Sequence, residues 1–194
     1  MRGFRPSLYG LELVLAVRLG EVLVALSGLA RTGWMLRGVP SAIAESVAEH
    51  LFASTLIAYE LSVEARRSGF NVDPERVAVI ALSHDLAEAV VGDISRRAGI
   101  VEAKEVAEAR AFEDLEVSED LKELYREYRD GSTLEAIVAR ISDNLATYVK
   151  ARSYARLGFK VEGIAEDSLG KALALASLKG LDGVVKSFLE RLEH

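Results

Sequence analysis

Apolar residues recur along this chain at helical spacing, with polar residues between them, and runs of β-branched residues bounded by turns are absent. Three prolines, Pro6, Pro40 and Pro74, each stand near an expected helix start. The pattern predicts a first helix over residues 7–30, broken near Gly20, and then a loop from Arg31 to Pro40. A capping box of Ser46 and Glu49 opens a second helix, which runs to Ser68 and stops at Gly69. Asp73 as N-cap and Pro74 at the first helical position open a third, continuous to Val91 and ended by Gly92. A helix over residues 101–115 carries a charged face read as solvated. Another starts at Ser118, with Glu119 and Asp120 suited to the helix dipole, and ends at Asp130-Gly131. Ser132 and Glu135 form a second capping box for a helix reaching residue 157, and helices over 165–178 and 182–192 close the chain. Together these predict an all-α, single-domain helical bundle over residues 1–194, joined by short connections.

Composition narrows the function classes. At 194 residues the chain can bury a full core. Hydrophobic content is 50% and mean hydropathy +0.16, but the longest uncharged run of the apolar N-terminal region, 22–30, is far below the ~20 residues of a membrane span. The basic start Met1-Arg2-Gly3-Phe4-Arg5-Pro6 is followed by no cleavage-site pattern, so a cytoplasmic protein is expected. With no cysteine, disulfides, cysteine-held zinc and thiol nucleophiles are excluded. A net charge of -6 without a basic block argues against a nucleic-acid partner, while a few arginines can still hold one small phosphorylated ligand. The Leu192-Glu193-His194 end resembles the start of a vector-encoded affinity tag, so His194 is set aside.

The candidate chemistry lies in the apolar stretch 81–94, which contains His84, Asp85, Glu88 and Asp93. Ionisable groups in a core helix are costly unless paired, and a bound cation is the usual partner. On one continuous helix His84 and Glu88 share a face, and Asp85 is about 100° round from His84. His50 and Asp143 are further candidates on other helices. Imidazole and carboxylate together suit one divalent transition metal, Mn, Co, Fe, Ni or Zn. Each residue also has a plainer reading: His50 as a satisfied side chain near a helix start, Asp143 as the partner of Arg140.

The order His50, His84-Asp85, Asp143 resembles the HD-domain superfamily of metal-dependent phosphohydrolases. Arg31-Thr32-Gly33-Trp34, Glu45-Ser46-Val47-Ala48-Glu49-His50, and Glu88 followed by Gly92-Asp93-Ile94 look closest to its small 5'-deoxynucleotidase group. The resemblance covers roughly residues 10–155, a metal-site core against which helices over 160–194 would pack. It departs at Arg140, where the group often has lysine, and at Ser95-Arg96 in the Gly-Asp loop. The resemblance implies that His50, His84, Asp85 and Asp143 hold one metal, since relatives with more metals use extra histidines that this chain lacks. It implies attack of a metal-bound water on a small-molecule nucleotide, a deoxyribonucleoside 5'-monophosphate, giving deoxynucleoside and phosphate. Glu88 would orient or deprotonate that water, and Asp93 would protonate the leaving ribose oxygen or hold the sugar 3'-hydroxyl. Arg31 is the phosphate candidate, followed by Arg37 and Lys150; Trp34 would stack on sugar or base, or anchor its loop. Ser95 and Arg96 fall where the loop would meet substrate. The alternatives are another phosphoester, such as a nucleoside triphosphate or cyclic nucleotide, and a non-catalytic module with a structural metal. The apolar first helix would suit a homodimer interface, and a buried core helix would show the same pattern.

Overall fold

A computed structural model describes residues 16–95 and 99–193, and in them helix follows helix with no strand beyond two isolated bridges. The order is α1 (Leu19–Gly28), α2 (Thr32–Met35), α3 (Val47–Arg67), α4 (Pro74–Ser83), α5 (Glu88–Val91), α6 (Val101–Glu113), α7 (Glu119–Asp130), α8 (Leu134–Arg156), α9 (Glu162–Lys179) and α10 (Asp182–Glu193). The all-α expectation holds.

The local caps explain most of the boundaries. Ser46 Oγ accepts from the Glu49 amide at 3.1 Å while Glu49 accepts from the Ser46 amide at 2.7 Å, the reciprocal pair that starts α3. Asp73 accepts from Glu75 at 3.0 Å to start α4, and Ser118 from Leu121 at 3.3 Å to start α7. Gly131 ends α7 with φ +67°, a conformation that costs other residues a steric clash.

Three expectations are corrected. The first helix begins only at Leu19, because Val17 is extended and pairs its backbone with Asp114 and Glu116, both at 2.9 Å. The portion expected over residues 7–15 lies outside the described residues. The N-cap of α8 is Thr133, not Ser132: Thr133 Oγ1 accepts from Ala136 at 3.1 Å, while Glu135 is drawn to the Asp73 amide at 3.2 Å. The helix expected to run through Val91 breaks after Ser83. From there amides bond three residues back, as Glu88 does to Asp85 at 3.0 Å, until α5 forms. His84 Nδ1 donates to the Ala81 carbonyl at 2.6 Å, taking the acceptor that the Asp85 amide would use in a continuing helix.

Packing places this break at the centre. Ile57 and Leu61 of α3 join Ile80 of α4, Ile141 and Leu145 of α8 and Val185 of α10 in one apolar cluster. Val47 and Leu51 of α3 join Val22 and Leu26 of α1 and Phe112 and Leu115 in a second. His50 and Ser54, fully buried, occupy the stretch of α3 between the two. One face of α1 is thus core, while Leu23 and Val24 on the other are exposed. No helix among the described residues is long and apolar enough to cross a membrane.

Candidate metal centre

Four elements converge on one point: α3 brings His50, the α4–α5 turn brings His84 and Asp85, α8 brings Asp143, and α7 closes over them with Tyr128. Ligand atoms of His50, His84 and Asp85 all lie within 4.8 Å of one another. Asp143 Oδ1 is 3.0 Å from His50 Nε2 and 3.7 Å from His84 Nε2, and Asp85 Oδ2 is 3.2 Å from His84 Nε2. The two imidazole rings meet edge-on, centroids 5.3 Å apart, so both nitrogens can reach the same ion. Asp143 is not the partner of Arg140, whose guanidinium donates to the carbonyls of Tyr128 and Arg129 at 3.0 and 2.7 Å. Its second oxygen instead accepts from Tyr128 Oη at 3.2 Å.

Proton positions follow from the donors around each ring. With His84 Nδ1–H on a carbonyl, Nε2 is the atom left to face the carboxylates, and it is buried without a hydrogen-bond partner among the described residues. Burial alone would lower the His84 pKa, but the charges of Asp85 and Asp143 overcome it and raise it to about 9. Burial would raise both aspartates, yet the imidazoles hold each well below the usual carboxylate range. His50 is pushed the other way, by burial and then by the Arg31 guanidinium, and stays neutral. An orphaned buried nitrogen among carboxylates, with mixed nitrogen and oxygen donors, fits a divalent transition metal.

The centre opens into a cavity of about 570 Å³ whose wall includes Arg31, Glu88, Asp93 and Lys104. The side chains of Asp85 and Asp143 are each 20% exposed, so the donors face this space rather than being sealed from it. Glu88 is buried, and burial with the nearby Asp85 and Asp93 charges lifts its pKa to about 9 against the opposing pull of Lys104. Asp93 Oδ2 accepts from the Thr32 amide at 2.5 Å, and Thr32 Oγ1 donates to the Asp93 carbonyl at 2.7 Å. These two bonds join the loop bearing Arg31 to the loop bearing Asp93. Arg31 also donates to His50 Nδ1 at 2.8 Å and lies 3.6 Å from Glu45.

Trp34, Arg37 and Lys150 are not among the residues lining this cavity. Trp34 is buried, with Nε1 donating to Glu45 at 3.0 Å and its ring edge-on to Tyr154, so it anchors its loop and offers no face for stacking. Arg37 reaches toward Gly163 at the start of α9. Lys150 sits over the Tyr154 ring beside a separate groove lined by Phe52 and Val149. Ser95 is half-buried beyond Asp93, and Arg96 lies outside the described residues. The sequence reading missed Lys104 and Tyr128. The i, i+4 spacing of Lys104 and Glu108 was a visible signal, but it is the same spacing a solvated pair would show.

Residues 25–167 match a family model described as HD domain. The chain is 28% identical over 134 residues to the 5'-deoxynucleotidase HDDC2 of Danio rerio, a match covering 66% of this chain and 63% of that protein. It is 29% identical over 146 residues to the 5'-deoxynucleotidase HDDC2 of Dictyostelium discoideum, covering 71% and 76%. The chain thus spans somewhat less than two thirds of the first relative and about three quarters of the second. Among solved structures, a conserved hypothetical protein from Pyrococcus furiosus superposes with a TM-score of 0.70 at 31% identity, over 85% of this chain and 96% of that one.

Proposed function

The chain belongs to the HD-domain family of phosphohydrolases, and from that premise we propose that it is a metal-dependent phosphomonoesterase acting on deoxyribonucleoside 5'-monophosphates. The observation that carries the reading is that donor atoms of His50, His84 and Asp85 lie within 4.8 Å of one another, with Asp143 Oδ1 3.0 and 3.7 Å from the two imidazoles, beside a cavity whose wall holds Arg31, Glu88 and Asp93. The similarity to proteins named 5'-deoxynucleotidase supports the choice of substrate.

His50, His84, Asp85 and Asp143 would hold one divalent ion. When bound, the ion supplies Lewis acidity: it acidifies a water, offsets charge on a phosphoryl oxygen, and lets Glu88 ionise near neutrality. The remaining work falls to side chains. Glu88 accepts the proton of the attacking water as the new P–O bond forms and the bond to the sugar 5'-oxygen breaks. Asp93, with Oδ2 fixed by Thr32, has its second oxygen for the 3'-hydroxyl, which it positions by accepting its hydrogen bond, or, when that oxygen carries a proton taken from solvent, for the leaving 5'-oxygen, to which it passes that proton. Arg31 presents a planar fork to the phosphate.

The test is phosphate release from a panel of mono-, tri- and cyclic nucleotides with added Co²⁺ or Mn²⁺, for wild type and Asp85→Ala. Phosphate and deoxynucleoside should appear with 5'-deoxynucleotides and vanish in the variant. Activity that survives the substitution, or pyrophosphate as the product, would overturn the reading.

A further inference from the structure

Most of the charged face of α6 is solvated as expected, with Glu102, Glu105, Arg110 and Glu113 exposed, but Lys104 and Glu108 are half-buried and Lys104 reaches α5. Lys104 Nζ lies 3.3 Å from Glu88 Oε1 and 3.2 Å from Glu108 Oε1, and the lysine side chain is only 18% exposed. Glu108 is one turn further along the same helix and gives the ammonium a second carboxylate partner. The two oxygens of Glu88 are therefore unlike. Oε1 is tied to Lys104, while Oε2 is buried with no hydrogen-bond partner among the described residues. The terminal torsion of a glutamate is broad, so a carboxylate with neither oxygen tied would spread over many orientations. Pinning one oxygen removes that freedom and aims the other.

We propose that Lys104, itself held by Glu108, is a positioning residue that ties down Glu88 Oε1 so that Oε2 alone meets the attacking water. This rests on the reading of Glu88 as the proton acceptor of the site. Four charged groups bear on Glu88: Asp85 and Asp93 from its own segment, Arg31 from the start of α2, and Lys104 from α6. Lys104 is the cation that also hydrogen-bonds it. A role as a direct phosphate ligand would compete with the two carboxylates that already lie 3.2 and 3.3 Å from the ammonium.

The experiment compares Lys104→Met, Lys104→Arg, Glu88→Gln and the double variant Lys104→Met/Glu88→Gln. The expected result for Lys104→Met is a fall in kcat of about ten- to hundredfold, part of the larger loss in Glu88→Gln. KM and inhibition by inorganic phosphate should stay within about threefold, and Lys104→Arg should recover most of kcat. The double variant should be no slower than Glu88→Gln alone, since the lysine acts through the glutamate. A rise in KM and in the phosphate inhibition constant at unchanged kcat would overturn the proposal, as would a loss that multiplies that of Glu88→Gln. A second readout does not depend on turnover: carboxyl ¹³C NMR of Glu88 in the Zn²⁺-loaded protein. Its titration midpoint should move up in Lys104→Met and return in Lys104→Arg. If wild type hydrolyses no mononucleotide, the functional reading fails, and this midpoint still decides whether Lys104 governs Glu88.

Discussion

Arg31 is the side chain whose removal says most about how the centre accepts a cation. A guanidinium has donors and no acceptor, so His50 Nδ1, 2.8 Å from the Arg31 terminal nitrogen, must carry a lone pair. The neutral ring then keeps its proton on Nε2, which faces Asp143 Oδ1 at 3.0 Å. That same Nε2 is the atom turned toward His84 and Asp85, and a cation held there needs its lone pair. The proton would pass to Nδ1 and confront the guanidinium, donor against donor. Cation binding at His50 therefore competes with the Arg31–His50 bond. A hydrogen bond to a charged group contributes about 1.5–3 kcal/mol, so Arg31→Met should tighten cation binding roughly ten- to hundredfold. Calorimetric titration of chelator-stripped protein with Co²⁺ measures this. Removing a positive charge acts in the same direction, so the tautomer is read separately by long-range ¹H–¹⁵N correlation. Wild-type His50 should be Nε2–H without metal and Nδ1–H with Zn²⁺, while the His84 proton on Nδ1 stays in place throughout. A variant that binds Co²⁺ no tighter, or a metal-free His50 already protonated at Nδ1, would refute the reasoning.

Three more outcomes follow from the same geometry. In chelator-stripped protein the Glu88 pKa is raised from an ordinary 4.5 to about 9, so between those values the folded state holds a proton the unfolded state lacks, and stability falls as pH rises. Urea melts at pH 6 and 8 should show wild type losing about 2–3 kcal/mol more than Glu88→Gln over that interval; equal losses would deny the shift. Tyr128→Phe removes the hydroxyl that bonds Asp143 at 3.2 Å and should weaken Co²⁺ binding by about tenfold with little change in fold, as circular dichroism and calorimetry would register. Tyr154→Phe deletes an oxygen that accepts from the Glu45 amide at 2.7 Å and donates to the Ile43 carbonyl at 2.9 Å; it should cost about 1–3 kcal/mol in urea denaturation.

How much of this was legible in the chain depends on how far away each residue's partner lies. Ser46, Asp73 and Ser118 cap amides two or three residues on, and each was readable because the motif is complete within one turn. Ser132 with Glu135 matched the same motif and misled, because the Asp73 amide, 62 residues away, claims Glu135. The break after Ser83 was hidden for a different reason. His84 and Ala87 keep right-handed helical torsions, so side-chain periodicity continues while the hydrogen-bond ladder shortens. The candidate ligands stood out because buried imidazole and carboxylate need an explanation wherever they fall. Trp34 was ambiguous because its anchors, Glu45 and Tyr154, come from the following loop and from the far end of α8.

Lys104 and Arg31 carry that argument to the site itself. Each reads from the sequence as a cation with a generic use, one as a solvated helix residue and the other as a phosphate clamp. In the fold each is committed to a neighbour that matters more: Lys104 to Glu88 at 3.3 Å, Arg31 to His50 at 2.8 Å. Each bears on where a proton or lone pair lies, Arg31 on the His50 ring and Lys104 on the Glu88 carboxylate. The donors alone would suit any divalent ion with mixed nitrogen and oxygen preferences. A hydrolytic site needs more: one carboxylate oxygen kept free beside the ion, and a guanidinium close enough to exchange its imidazole for an incoming phosphate. Glu88 Oε2, unpartnered among the described residues, and Arg31 on the cavity wall are the groups outside the proposed ligand set that would meet both conditions. The chemistry of this centre is therefore decided as much by the cations around it as by the groups that would hold the metal.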